Sequence, residues 1–101
     1  MNISITQNGT ETTVALEGRL DTSTAPELEA KLDTIPDDVM ALNFDFGELR
    51  YVSSAGLRLL LASQKKMNSR GGKMVIRKPN EFIMEVFEAT GFSDILTIEN
   101  A

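Results

Sequence analysis

A chain of 101 residues with 42 % apolar and 25 % charged side chains is long enough for one domain with its own core, and too ordinary in composition to be disordered. Its net charge of −5, from 15 acidic against 10 basic residues, leaves it unable to neutralise a run of phosphates or to coat an anionic membrane, so neither nucleic acid nor membrane is an expected partner. Cysteine and histidine are both absent, which excludes disulfides, thiolate and imidazole metal sites, and catalysis by Ser-His-Asp or Cys-His arrangements.

The longest apolar run, Leu59-Leu60-Leu61-Ala62, is too short to span a bilayer. The first residues, Met-Asn-Ile-Ser-Ile-Thr, lack the charged and apolar regions of a signal peptide. One domain over residues 1–101 is therefore expected, in the cytoplasm, as a monomer and without a cofactor.

Ile3 and Ile5 alternate with polar residues, the pattern of a half-buried strand, and Asn8-Gly9 signals a turn. Thr12, Val14 and Leu16 mark a second strand that pairs with the first as a hairpin and ends at Gly18. Thr24-Ala25-Pro26-Glu27 is a helix start: Thr24 can cap, Glu27 follows three residues later, and Pro26 falls in the first turn. Leu28, Leu32 and Ile35 recur at helical spacing until Pro36-Asp37-Asp38 breaks the helix. Val39 to Phe46 is almost continuously apolar, as in a central strand, and Gly47-Glu48 is read as a turn.

Leu49, Tyr51 and Val52 lead into Ser53-Ser54. From Ala55 to about Arg70 the pattern is helical, with Leu57, Leu60 and Leu61 on one face and Gly71-Gly72 as the stop. Lys65, Lys66 and Arg70 sit at the end of that helix, where the dipole favours cations, and read as a solvated helix end. Met74-Val75-Ile76 is another strand. Pro79-Asn80 starts a helix with Phe82, Ile83, Val86 and Phe87 on its apolar side, stopped by Gly91, and Ile95 to Ile98 is a short last strand. The order is β-β-α-β-α-β-α, with a final β. This is an α/β domain with a mixed sheet of four or five strands packed by helices, the later strands parallel because each is reached through a crossover.

In such a sheet two segments fall at strand C-terminal ends, where open α/β folds place their sites. One is Gly18-Arg19-Leu20-Asp21; the other is Val52-Ser53-Ser54-Ala55-Gly56-Leu57. Either serine can cap the helix that follows. Gly56 in a first helical turn costs about 1 kcal/mol relative to Ala, which makes sense where something must approach the backbone closely. Ala55 leaves the hydroxyls unobstructed. The free N–H groups and positive dipole end of the helix would stabilise a phosphate attached there. From the loop alone, Ser53 and Ser54 can equally be an ordinary cap, and Asp21 can equally be a turn residue. Asp21, Asp45 and Glu48 read as solvated carboxylates and not as a magnesium site.

Taken together, Glu17-Gly18-Arg19-Leu20-Asp21, the strand Val39 to Phe46, and Val52-Ser53-Ser54-Ala55-Gly56-Leu57 followed by Gly71-Gly72-Lys73 resemble the STAS domain family over nearly the whole chain. Bacterial anti-sigma factor antagonists belong to that family. The resemblance implies that the chain is not an enzyme, and that the serine two places before the glycine, Ser54, is a phosphoacceptor. It implies a histidine-kinase-like ATPase as its serine kinase, which is also the anti-sigma factor, and a metal-dependent serine phosphatase that removes the phosphate. The unphosphorylated form would bind the kinase and free the sigma factor, and phosphorylation of Ser54 would release it. Asp21, Ser53, Ala55 and Gly56 would lie on the partner surface by the same resemblance, and Leu59 is the apolar candidate on the helix side away from the core. Members of the best-known branch often carry aspartate before the acceptor, where this chain has Ser53. The rival reading within the family is a soluble subunit of a lipid-transporting ABC system. An enzyme has no support from any phosphate-binding loop or catalytic motif.

Overall fold

The structure is a computed structural model and describes residues 1–100. In chain order it contains β1 (Asn2–Asn8), β2 (Glu11–Leu20), α1 (Ala25–Leu32), β3 (Ala41–Val52), α2 (Ser54–Ser69), β4 (Lys73–Arg77), α3 (Glu81–Thr90), a one-turn 3-10 helix (Phe92–Asp94) and β5 (Thr97–Glu99). The five strands form one sheet in the order β1-β2-β3-β4-β5. β1 and β2 are an antiparallel hairpin, and every later neighbour is parallel.

Because each helix carries the chain one strand further in the same direction, right-handed crossovers put all three helices on one face of the sheet. The side chains agree. Val14, Phe44 and Ile76 lie in one register row and are fully buried, whereas the next row, Ala15, Asp45 and Arg77, is only half-buried. Against the buried face α1 brings Leu28, α2 brings Leu57, Leu60 and Met67, and α3 brings Ile83 and Phe87, all in one apolar cluster. Phe44 and Phe46 meet edge to face at 6.1 Å in its middle. Each large side chain so buried stabilises the fold by roughly 2 kcal/mol.

Four expectations need correcting. β2 does not end at Gly18. It runs to Leu20, with a register shift between Gly18 and Arg19, and the φ of 109° at Gly18 is one that side-chain-bearing residues rarely adopt. Gly47-Glu48 is not a turn either, since β3 begins at Ala41 and passes through it to Val52. There the parallel partner of Glu17 is Glu48, one residue ahead of where the preceding register would put it, so a bulge absorbs the glycine. Ile35 lies beyond α1, which stops at Leu32, although its side chain still packs on the core. Phe82 leaves the apolar side of α3 and is 47 % exposed, lying face to face with Tyr51.

Candidate functional site

The two bulged strands end side by side. Leu20 and Val52 are register partners, and the chain then locks the two loops together: Ser53 N–H donates to the Leu20 carbonyl at 2.9 Å. Asp21 thus starts one loop and Ser53 the other at the same edge of the sheet.

The structure separates the two serines. Ser53 is the N-cap of α2, in extended conformation, with its hydroxyl accepting from Gly56 N–H at 3.4 Å and its carbonyl from Leu57 N–H at 2.9 Å. Ser54 is the first helical residue, and it is exposed. Among the described residues its hydroxyl takes part in no hydrogen bond, and neither its own backbone N–H nor that of Ala55 has a partner. α1 and α3 each carry a glutamate in the first turn, Glu27 and Glu81, but α2 has no acidic residue there. The positive end of its dipole is therefore unanswered in a chain that is otherwise rich in carboxylates. Arg58 lies one helical turn beyond Ser54 and is exposed.

Asp21 is held as a turn residue. Its Oδ1 accepts from Ser23 N–H at 3.0 Å, Ser23 Oγ–H at 2.7 Å and Thr24 N–H at 3.1 Å. Thr24 does not cap α1 with its side chain; its hydroxyl accepts from Asp21 N–H and donates to the Arg19 carbonyl, both at 2.8 Å. The bonds from Ser23 and Thr24, the Ser23 hydroxyl first, hold the Asp21 carboxyl below its ordinary value of 3.8, against a smaller opposing effect of desolvation. A carboxylate with a depressed folded pKa stabilises at pH above its unfolded value, and that stabilisation is lost as pH falls through the folded one. The difference in urea midpoint between wild type and Asp21→Ala is therefore expected to stay constant from about pH 8 to pH 5 and to shrink below about pH 4. A difference that changed between pH 6 and pH 8 would contradict this assignment.

Ala55 and Leu59 are half-buried and, with Ala25 and Pro26 of α1, line a shallow hollow of about 250 Å³ that begins next to Ser54. Leu59 is therefore not on the side of α2 away from the core, as expected above: its side chain packs against the core cluster. Gly56 does not belong to that surface. It is buried, and a Cβ added to it would lie 2.7 Å from Leu20 Cγ and 2.9 Å from Val52 Cγ2. The space assigned above to an approaching partner is filled from within by the two strand ends. Sequence reasoning missed a stack on the same sheet edge: the Arg19 guanidinium lies 4.2 Å over the Tyr51 ring and 3.8 Å from Asp21 Oδ2, and Tyr51 stacks on Phe82 at 5.7 Å. The alternation of β3 pairs Arg19 with Tyr51 only when both register shifts, the one near Gly47 and the one between Gly18 and Arg19, are recognised.

No helix among the described residues is long and apolar enough to cross a membrane. Residues 3–97 match a family model described as "Mlab, STAS domain". The chain is 30 % identical over 104 residues to the anti-sigma-B factor antagonist of Listeria monocytogenes, covering 99 % of this chain and 91 % of that one. It is 26 % identical over 98 residues to the anti-sigma-B factor antagonist of Bacillus subtilis, covering 97 % and 90 %. The fold superposes on the anti-sigma factor antagonist SpoIIAA in its unphosphorylated form with a TM-score of 0.79, at 19 % identity over 99 % of this chain and 89 % of that one. The phosphorylated form of SpoIIAA gives 0.76, at 19 % identity over 96 % and 90 %. These relatives are regulatory binding proteins and not enzymes. With the family model spanning nearly the whole chain and the strand-end serines in place, the chain belongs to the STAS domain family.

Proposed function

We propose that this chain is an anti-sigma factor antagonist switched by phosphorylation of Ser54. The observation that carries the reading is the position of that residue: an exposed hydroxyl on the first residue of the helix whose N-terminal charge is unanswered, beside two unbonded N–H groups. The relatives supply the class of function.

In its unphosphorylated form the protein binds an anti-sigma factor that is also a serine kinase of the histidine-kinase-like ATPase group, through Ser53, Ser54, Ala55, Leu59 and the loop at Asp21. The kinase brings ATP, its metal ion and a base. Ser54 Oγ attacks the γ-phosphorus, the bond to the ADP oxygen breaks, and the hydroxyl proton passes to the kinase's base. The product carries roughly −1.5 to −2 additional charges at neutral pH. The helix end accommodates that charge, and Arg58 sits at the i+4 position where an N-terminal anion is favourably paired. The partner surface does not accommodate it, because a bulky dianion now stands where Ala55 and Ser53 allow close contact. The kinase leaves, and a metal-dependent phosphatase returns the protein to its binding form.

The test is to incubate the protein with ATP and its cognate anti-sigma kinase, then map the modified residue by fragmentation mass spectrometry. One phosphate on Ser54 is expected. Phosphate on Ser53, or none, overturns the reading. A stable complex with a transport ATPase and no phosphate transfer would instead assign the chain to a lipid-transporting ABC system.

A further inference from the structure

α1 and α2 do not close against each other. Between them runs an apolar cleft, with a cavity of about 140 Å³ floored by Leu32, Ile35, Leu42, Leu59 and Met67. Through Leu59 and Glu29 it is continuous with the hollow of about 250 Å³ beside Ser54, since both residues line both spaces. On the α2 side Ala55, Leu59, Ser63 and Met67 recur every four residues, so the cleft follows one ridge of the helix for about 18 Å.

The two banks carry opposite charge. Glu29 and Asp33 stand along α1, and Arg58 and Lys66 along α2, with the small exposed Ala62 between the two cations. Among the described residues no ion pair crosses the cleft: the three that form are Arg19 with Asp21, Arg70 with Asp37, and Arg77 with Glu99. An apolar floor with an acidic and a basic bank is complementary to an amphipathic helix that has an apolar stripe, cations on one flank and anions on the other. A second copy of this chain offers no such stripe. Its large exposed apolar side chains, Ile5, Met40, Phe82 and Ile95, are scattered over separate parts of the fold.

From this geometry we infer that the cleft between α1 and α2 is the docking groove for an amphipathic helix of the anti-sigma kinase, the partner of the proposed function on which this inference rests. Ala55, the residue next to Ser54, lines the end of the groove, and the groove holds the partner while the Ser54 hydroxyl is presented. Arg58, at the same end, is shared between the docked helix and the phosphate, which links modification to release.

The test compares affinities for the cognate anti-sigma kinase, by titration calorimetry, among wild type, Ala62→Arg, Glu29→Lys and Ser4→Arg. Ala62 and Glu29 are exposed helix positions whose replacement leaves the core untouched, and Ser4 is exposed on β1, a strand that does not flank the cleft. Circular dichroism confirms that each variant is folded. The groove predicts a loss of tenfold or more for Ala62→Arg, a loss of about threefold or more for Glu29→Lys, and no change for Ser4→Arg. If wild type binds and both groove variants stay within twofold of it, the groove is overturned and the Ser54 reading stands. Failure of wild type either to bind or to be phosphorylated overturns both. Self-association of wild type that Ala62→Arg abolishes, with kinase affinity unchanged, assigns the groove to a second copy and overturns the inference.

Discussion

Ser54→Ala is expected to fold normally, to take up no phosphate, and to hold its kinase without release. The hydroxyl of Ser54 has no hydrogen-bond partner among the described residues, and the position is exposed, so its removal changes stability by no more than about 0.5 kcal/mol. Every functional consequence then follows from losing the acceptor. Ser53→Ala should behave in the opposite way. It removes the side chain that receives Gly56 N–H and so costs about 1 kcal/mol of stability, yet it leaves the acceptor in place. Phosphate incorporation measured on both variants, beside their thermal unfolding, separates cap from acceptor. Full incorporation into Ser54→Ala would sink the assignment.

Gly56→Val should have the largest effect on stability of any substitution at the site. A Cβ already falls inside contact distance of Leu20 and Val52, and those two residues are the buried ends of the strands that position the site. Replacing a helical glycine by alanine would by itself gain about 1 kcal/mol, but overpacking a filled core costs about 1–3 kcal/mol, and the branched side chain adds two methyls beyond the Cβ to the same collision. A loss of about 3 kcal/mol is expected, with a fall in Tm of roughly 12 °C or more. If Gly56→Val instead melts with wild type and fails only in kinase binding, the glycine serves the partner and not the packing.

The order of elements was legible because each helix and strand carries its own periodicity, and the parallel character of the sheet follows from the crossovers. Boundaries failed where bulges intervene. Gly18 and Gly47 look like turn residues in a linear reading, yet both lie inside strands at register shifts; at Gly18 the bulge uses a φ of 109°, the same backbone freedom a turn would need. The candidate site was legible at Ser54 through resemblance and through the small residues around it. The resemblance already pointed to Ser54 over Ser53 as acceptor; which serine caps α2 required the structure, since either can cap when only the sequence is seen. Gly56 was misread because a position that tolerates no side chain looks the same in a sequence whether the neighbour is a partner or the protein's own Leu20. The groove was invisible for a related reason: Leu59 stood out, but its counterparts across the cleft, Leu32 at the end of α1 and Ile35 beyond it, read as ordinary core spacing until the gap between the helices was seen.

In the proposed switch Ser54 carries the phosphate, and the phosphate acts by excluding a partner, not by refolding the chain. Two-dimensional amide spectra of the protein before and after kinase treatment, with a urea unfolding curve for each form, test it most directly. Shift changes are expected to concentrate from Val52 to Leu60 and around Asp21, with stability unchanged within about 0.5 kcal/mol, because the helix end stabilises the added charge where it stands. Shifts spread through the first half of β3 and through β4, or a large loss of stability on phosphorylation, would show a conformational switch and contradict the account.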